Sequence, residues 1–207
     1  MKDHEFWHTI SDARQRYRRH SSRWDVVRRQ LPGSAVETVA VLNYLGERLD
    51  GRRTTEIAGF HRALTRVHRR AFRYDVWTAF GLLLGDVDCH EFTDAISWLI
   101  LRGKRTFAHT LVDPDRLAGH QLCRKDNRLA GALNFLPAAT LVPDTVGEDT
   151  EFQAAMAADS LLPPVSYPEP PPGPPPRQDA CELYRRFPRL TANGPPAPRP
   201  VVVTAVV

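Results

Sequence analysis

Near the start of the chain, His4-Glu5-Phe6-Trp7-His8 sets two histidines four residues apart, with a glutamate directly after the first. On a helix, both imidazoles share a face and can hold one zinc ion, the glutamate serving as general base for the metal-bound water. A catalytic zinc needs a third protein ligand. The extended motif has glycine and histidine where this chain has Ser11 and Arg14, and no glutamate lies between Glu5 and Glu37. His4, Glu5 and His8 are thus metal-ligand candidates without a visible third ligand. The plainer alternative is an amphipathic helix with two surface histidines, and no metal is expected.

A second constellation is the acidic stretch Asp86, Asp88, Cys89 and His90, expected in a loop between helices as a polar pocket. A nucleophilic cysteine there needs a base and a depressed pKa; a solvated connection with an incidental thiol is the simpler reading. A third is Arg14, Arg16, Arg18, Arg19 and Arg23, with Tyr17 and Trp24 among them. Arginines of this kind neutralise nucleic-acid phosphates while aromatic rings stack on bases. The same arginines suit an acidic protein partner, and helical spacing puts Tyr17 and Trp24 on apolar stripes. The run Pro172-Gly173-Pro174-Pro175-Pro176-Arg177 fits a PxxPxR ligand but reads better as a stiff spacer. No phosphate loop, nucleophile elbow or dinucleotide fingerprint occurs, and no cofactor is expected.

The elements that must position these residues are helices. Phe6, Ile10, Ala13 and Tyr17 recur at helical spacing, with Asp3 as the expected N-cap. Trp24, Val27 and Leu31 mark a short second helix, and Val36 to Leu49 a third. Thr54-Thr55-Glu56 opens a fourth, with Ile57, Phe60, Leu64, Val67 and Ala71 on one side. Residues 74–84, apolar on most sides, are expected to form the central helix, ended by Gly85. Phe92, Ile96, Leu99 and Ile100 mark the next, stopped near Gly103; Phe107 and Leu111 mark another, and Asp113-Pro114 restarts the chain. A further helix is expected over residues 152–161. Phe60, Trp77, Phe92 and Trp98 are expected in the core.

The chain has 207 residues, of which 42% are hydrophobic and 25% charged, an ordinary globular profile. Its net charge of +4 is uneven, since residues 1–70 carry 15 Lys+Arg against 8 Asp+Glu. Cys89, Cys123 and Cys181 are odd in number and lack CxxC spacing, which points to isolated thiols in a cytoplasmic protein. No apolar run approaches the roughly 20 residues that span a bilayer, so neither a membrane partner nor, at MKDHEFWHTI, a secretory signal is expected. The expected architecture is all-α. A helical domain over 1–162 precedes a proline-rich linker over 163–178, a C-terminal docking segment over 179–192 and a disordered tail over 193–207.

Phe6-Trp7, Tyr74-Asp75-Val76-Trp77, Phe92, Trp98-Leu99-Ile100, Gly103, Phe107, Leu111-Val112-Asp113-Pro114-Asp115, Leu117-Ala118 and Phe187-Pro188-Arg189-Leu190 together carry a resemblance. The sequence resembles a family of uncharacterised bacterial proteins, the domain of unknown function 4240. The resemblance implies that the helices form one unit and that the C-terminal segment docks back after the proline linker. It implies no reaction. The chain departs from the family pattern at Cys89-His90, where an acidic pair is expected, and at Ile96, where a basic or polar residue is expected. The functional expectation is a non-catalytic helical binding or regulatory module whose basic N-terminal third faces an acidic protein partner. The alternatives are a metal-dependent hydrolase through residues 4–8 and nucleic-acid binding through the basic N-terminal helix.

Overall fold

Helical periodicity is realised throughout a computed structural model that describes residues 1–31, 33–140, 167, 169–172 and 179–192. The fold is all-α, with no strand among the described residues. Helix α1 (Asp3–Arg19) buries Phe6, Trp7, Ile10 and Ala13 and lies against α3 (Gly33–Leu49) and α4 (Thr54–Ala71). Between α1 and α3 runs a 3-10 turn (Ser21–Trp24) followed by a short α2 (Asp25–Arg28). The chain continues through α5 (Tyr74–Leu84), α6 (Cys89–Leu101), α7 (Lys104–Val112) and a 3-10 turn (Pro114–Gly119). Then come α8 (Arg124–Ala130), a 3-10 turn (Gly131–Asn134) and α9 (Leu136–Ala139); α10 (Ala180–Arg186) and α11 (Pro188–Thr191) follow near the C-terminus. The expected helix over 152–161 and the tail over 193–207 lie outside the described residues.

Three expectations need correction. The central helix is α6, not α5: every residue from Phe92 to Leu101 is buried, whereas α5 buries only Val76, Ala79 and Phe80. Helices α4, α5, α7 and α8 and the 131–134 turn all pack on α6, so its polar residues Thr93, Asp94 and Ser97 face protein rather than water. The N-cap of α1 is Lys2, not Asp3. Glu5 Oε2 accepts the Lys2 backbone N–H at 2.7 Å, while Asp3 reaches across to Arg66 (3.3 Å) and Arg70 (2.6 Å) of α4. Trp77 is only half-buried, stacked on Phe92 at 4.9 Å with its indole N–H donated to the Val87 carbonyl at 3.1 Å. Phe60, Phe92 and Trp98 are core residues.

Two glycines stand where a side chain would meet resistance, one for its backbone conformation and one for close approach. Gly103 separates α6 from α7 at φ +92°, and a Cβ there would stand 2.4 Å from Arg14 Nη1. A Cβ at Gly131 would stand 2.1 Å from Asp94 Oδ1. At the other end of the fold, the buried Asp115 carboxylate accepts the backbone N–H groups of Arg189 (3.0 Å) and Leu190 (2.9 Å). With Phe187 and Leu190 buried, that bond holds α11 against the 114–119 turn and α5. Pro188 at the start of α11 has no N–H to leave unsatisfied.

Candidate functional site

Residues 4–8 lie on the first turns of α1, where Phe6 and Trp7 are buried and His4 and His8 are exposed. Glu5 closes the capping box on Lys2, and that backbone hydrogen bond holds its carboxyl below the usual range. His8 Nε2 lies 3.4 Å from Asp12. Among the described residues, no group of three or more His, Cys, Asp or Glu side chains is placed to hold a metal ion.

The 86–90 stretch works as a helix start. Asp88 Oδ1 accepts the Glu91 N–H at 2.8 Å, and Glu91 reaches back to the Asp88 N–H at 3.4 Å. Glu91 also receives Arg124 at 2.6 Å, and the Asp86 carbonyl takes a second bond from the same guanidinium. Cys89 is half-buried at the first helical position, and His90 is exposed, 4.0 Å from Asp94. No base stands against the Cys89 thiol among these contacts.

The five nominated arginines divide. Arg14 turns inward and meets Glu37 at 3.2 Å; burial pulls its pKa down while Glu37 opposes the shift. Arg16 pairs with Glu47 at 3.2 Å and lies over the Tyr44 ring. Arg18, Arg19 and Arg23 are exposed, and none makes a hydrogen bond or ion pair with the described residues. Both neighbouring aromatics are occupied: Trp24 donates to the Tyr44 hydroxyl at 3.4 Å, and the Tyr17 hydroxyl accepts from Arg28 at 3.5 Å.

The densest buried polar group is not one of the candidates nominated from the sequence. Asp126 is 0% exposed and accepts from Trp98 Nε1 (2.9 Å), Thr38 Oγ1 (2.6 Å) and Arg102 Nη2 (3.5 Å). Arg102 also donates to Glu37 at 2.6 Å, and Glu37 clamps Arg14, so four helices are joined through six hydrogen-bonding side chains. Nearby, His68 Nε2 lies 3.1 Å from Ser97 Oγ, whose own hydroxyl donates to Asn134 Oδ1 at 2.8 Å. Because the serine proton goes to Asn134, the histidine is the donor. Burial pulls the pKa of His68 down to about 3. Both side chains are sealed from solvent, so this Ser–His pair has no face for a substrate.

A family model described as "Protein of unknown function (DUF4240)" matches residues 1–140. The chain belongs to that family. No curated protein and no solved structure matches it. In this DUF4240 chain the matched residues contain the whole Arg102–Asp126 network and the Asp115 carboxylate, but not Phe187-Pro188-Arg189-Leu190. No described helix is long and apolar enough to cross a membrane.

Two sites of the DUF4240 chain had a signal in the sequence. Asp126 stands four residues from both Leu122 and Ala130, each buried, which places a carboxylate on a core stripe. Asp94 interrupts the apolar run of α6 in the same way. Burial, with help from Asp88 and Glu91 and against His90, pushes its pKa up to about 6.

Proposed function

We propose that the chain is a non-catalytic helical binding module that engages an acidic protein partner through Arg18, Arg19 and Arg23. The observation that carries the reading is that these three guanidinium groups project from the end of α1 and the turn after it without an internal carboxylate. Glu5 and Asp88, by contrast, are tied into helix caps, and the His68–Ser97 pair is sealed in the core. Basic side chains in the last turn also complement the helix dipole, which accounts for Arg18 and Arg19 but not for Arg23 beyond it. A protein partner is favoured over nucleic acid because Tyr17 and Trp24 are partly buried against the core, with their polar edges bonded internally.

The test is affinity capture with the full chain and with the Arg18→Glu/Arg19→Glu/Arg23→Glu variant, washed at low and high salt. The expected result is one stoichiometric protein retained by the parent chain and lost from the variant. Nucleic acid retained only at low salt, with affinity falling steeply as salt rises, would transfer the face to phosphate recognition. Stoichiometric zinc that disappears on His8→Ala would instead support the hydrolase alternative.

A further inference from the structure

Away from α1, a cleft of about 330 Å3 opens between α7, the 114–119 turn and α11. Its walls are built by Arg105, Thr106 and His109 of α7, Arg116 and His120 at the turn, and Arg189 of α11. Three arginines from three elements therefore line one cleft, and no carboxylate is among its lining residues. Asp113 stands behind it and holds two of the three, Arg116 Nε at 3.2 Å and Arg189 Nη1 at 3.7 Å. That arrangement fixes the direction of both side chains and leaves other N–H groups of each for a ligand. Arg105 is exposed and makes no ion pair among the described residues. His120 is itself braced edge-on against the Trp98 ring at 5.6 Å, so the inner end of the cleft is rigid.

We infer that this cleft binds the phosphate group of a small polar molecule. Guanidinium forks match the oxygens of a tetrahedral anion, and Arg105 adds a positive charge that no carboxylate of the described residues pairs. The volume is at the lower end of small-ligand sites, about 300–1,000 Å3. The lining offers arginine, histidine and threonine but no open aromatic face, which suits inorganic phosphate or a small phosphate ester rather than a nucleobase. Because Arg189 belongs to α11, a ligand held by Arg105, Arg116 and Arg189 together also fastens the C-terminal segment to the core. The inference stands independently of the partner proposed for α1.

Calorimetric titration of the full chain at constant ionic strength tests it, with inorganic phosphate, ribose 5-phosphate and succinate as probes. The expected result is saturable binding of a phosphate probe tighter than about 1 mM, accompanied by slower amide exchange in residues 179–192. Arg105→Ala should weaken it about tenfold or more while leaving the unliganded melting temperature unchanged. Arg116→Gln is the second variant and should weaken binding likewise. Tighter binding of the ester than of the free ion assigns an organic phosphate; the reverse assigns inorganic phosphate. No saturable binding of either phosphate, equal binding of succinate, or unchanged affinity in both variants would overturn the inference.

Discussion

Replacing Asp126 by alanine removes the acceptor shared by Trp98, Thr38 and Arg102, three donors that arrive from α3 and α6. The vacated site is fully buried, and Arg102, 8% exposed, would keep Glu37 as its carboxylate partner. What Asp126→Ala leaves unsatisfied is the buried Trp98 indole N–H, at a cost of about 1–3 kcal/mol. For a chain of this size that is a fall in melting temperature of about 2–12 °C. Thermal and urea unfolding of Asp126→Ala would read it directly. Arg102→Leu gives the other arm of a double-mutant cycle, since Glu37 retains Arg14 when Arg102 is gone. The Asp126→Ala/Arg102→Leu protein should then lose less than the two single losses combined, by about 0.5–3 kcal/mol. A single-mutant loss below about 1 kcal/mol, or strict additivity in the cycle, would refute the claim that these residues act as one buried unit.

Asp94 should make stability fall as pH rises between about 4 and 6. Its folded pKa is raised to about 6 from an ordinary 3.8, so in that window the folded chain holds a proton that the unfolded chain has released. Asp94→Asn should flatten this part of the profile and raise stability at pH 7; chemical denaturation at pH 4, 5, 6 and 7 checks it, and parallel profiles would count against the burial argument. Asp115→Ala should cost about 1–2 kcal/mol as a lost helix cap and increase proteolysis within residues 179–192. Trp98→Ala should destabilise by about 3–5 kcal/mol and Trp77→Ala by clearly less, because Trp77 is half-buried. Equal shifts in melting temperature would contradict that ranking.

Helix existence was readable from periodicity because each apolar stripe recurs every three or four residues along one face. The identity of the central helix was not, since periodicity counts apolar residues but not the helices that surround them. Thr93, Asp94 and Ser97 give α6 the pattern of a helix with a wet side, yet each meets α4, the 131–134 turn or its own backbone instead. The arginine cluster was equally ambiguous in one dimension. Arg14 follows Ile10 by four residues and therefore points toward the core, while Arg18 and Arg19 at the helix end point out. The basic cleft had no sequence spacing to announce it, because Arg105, Arg116 and Arg189 line one cleft only after α11 returns to the 114–119 turn.

The bond between Asp115 and the α11 amides closes a separation of 74 residues. Chain synthesis at about 5–20 residues per second puts a delay of roughly 2–10 s between residue 140 and residue 189. Asp115 is therefore made seconds before the backbone amides that it receives. The contact that seats α11 cannot form until residues 189 and 190 exist, so the helices of residues 1–140 are made without it.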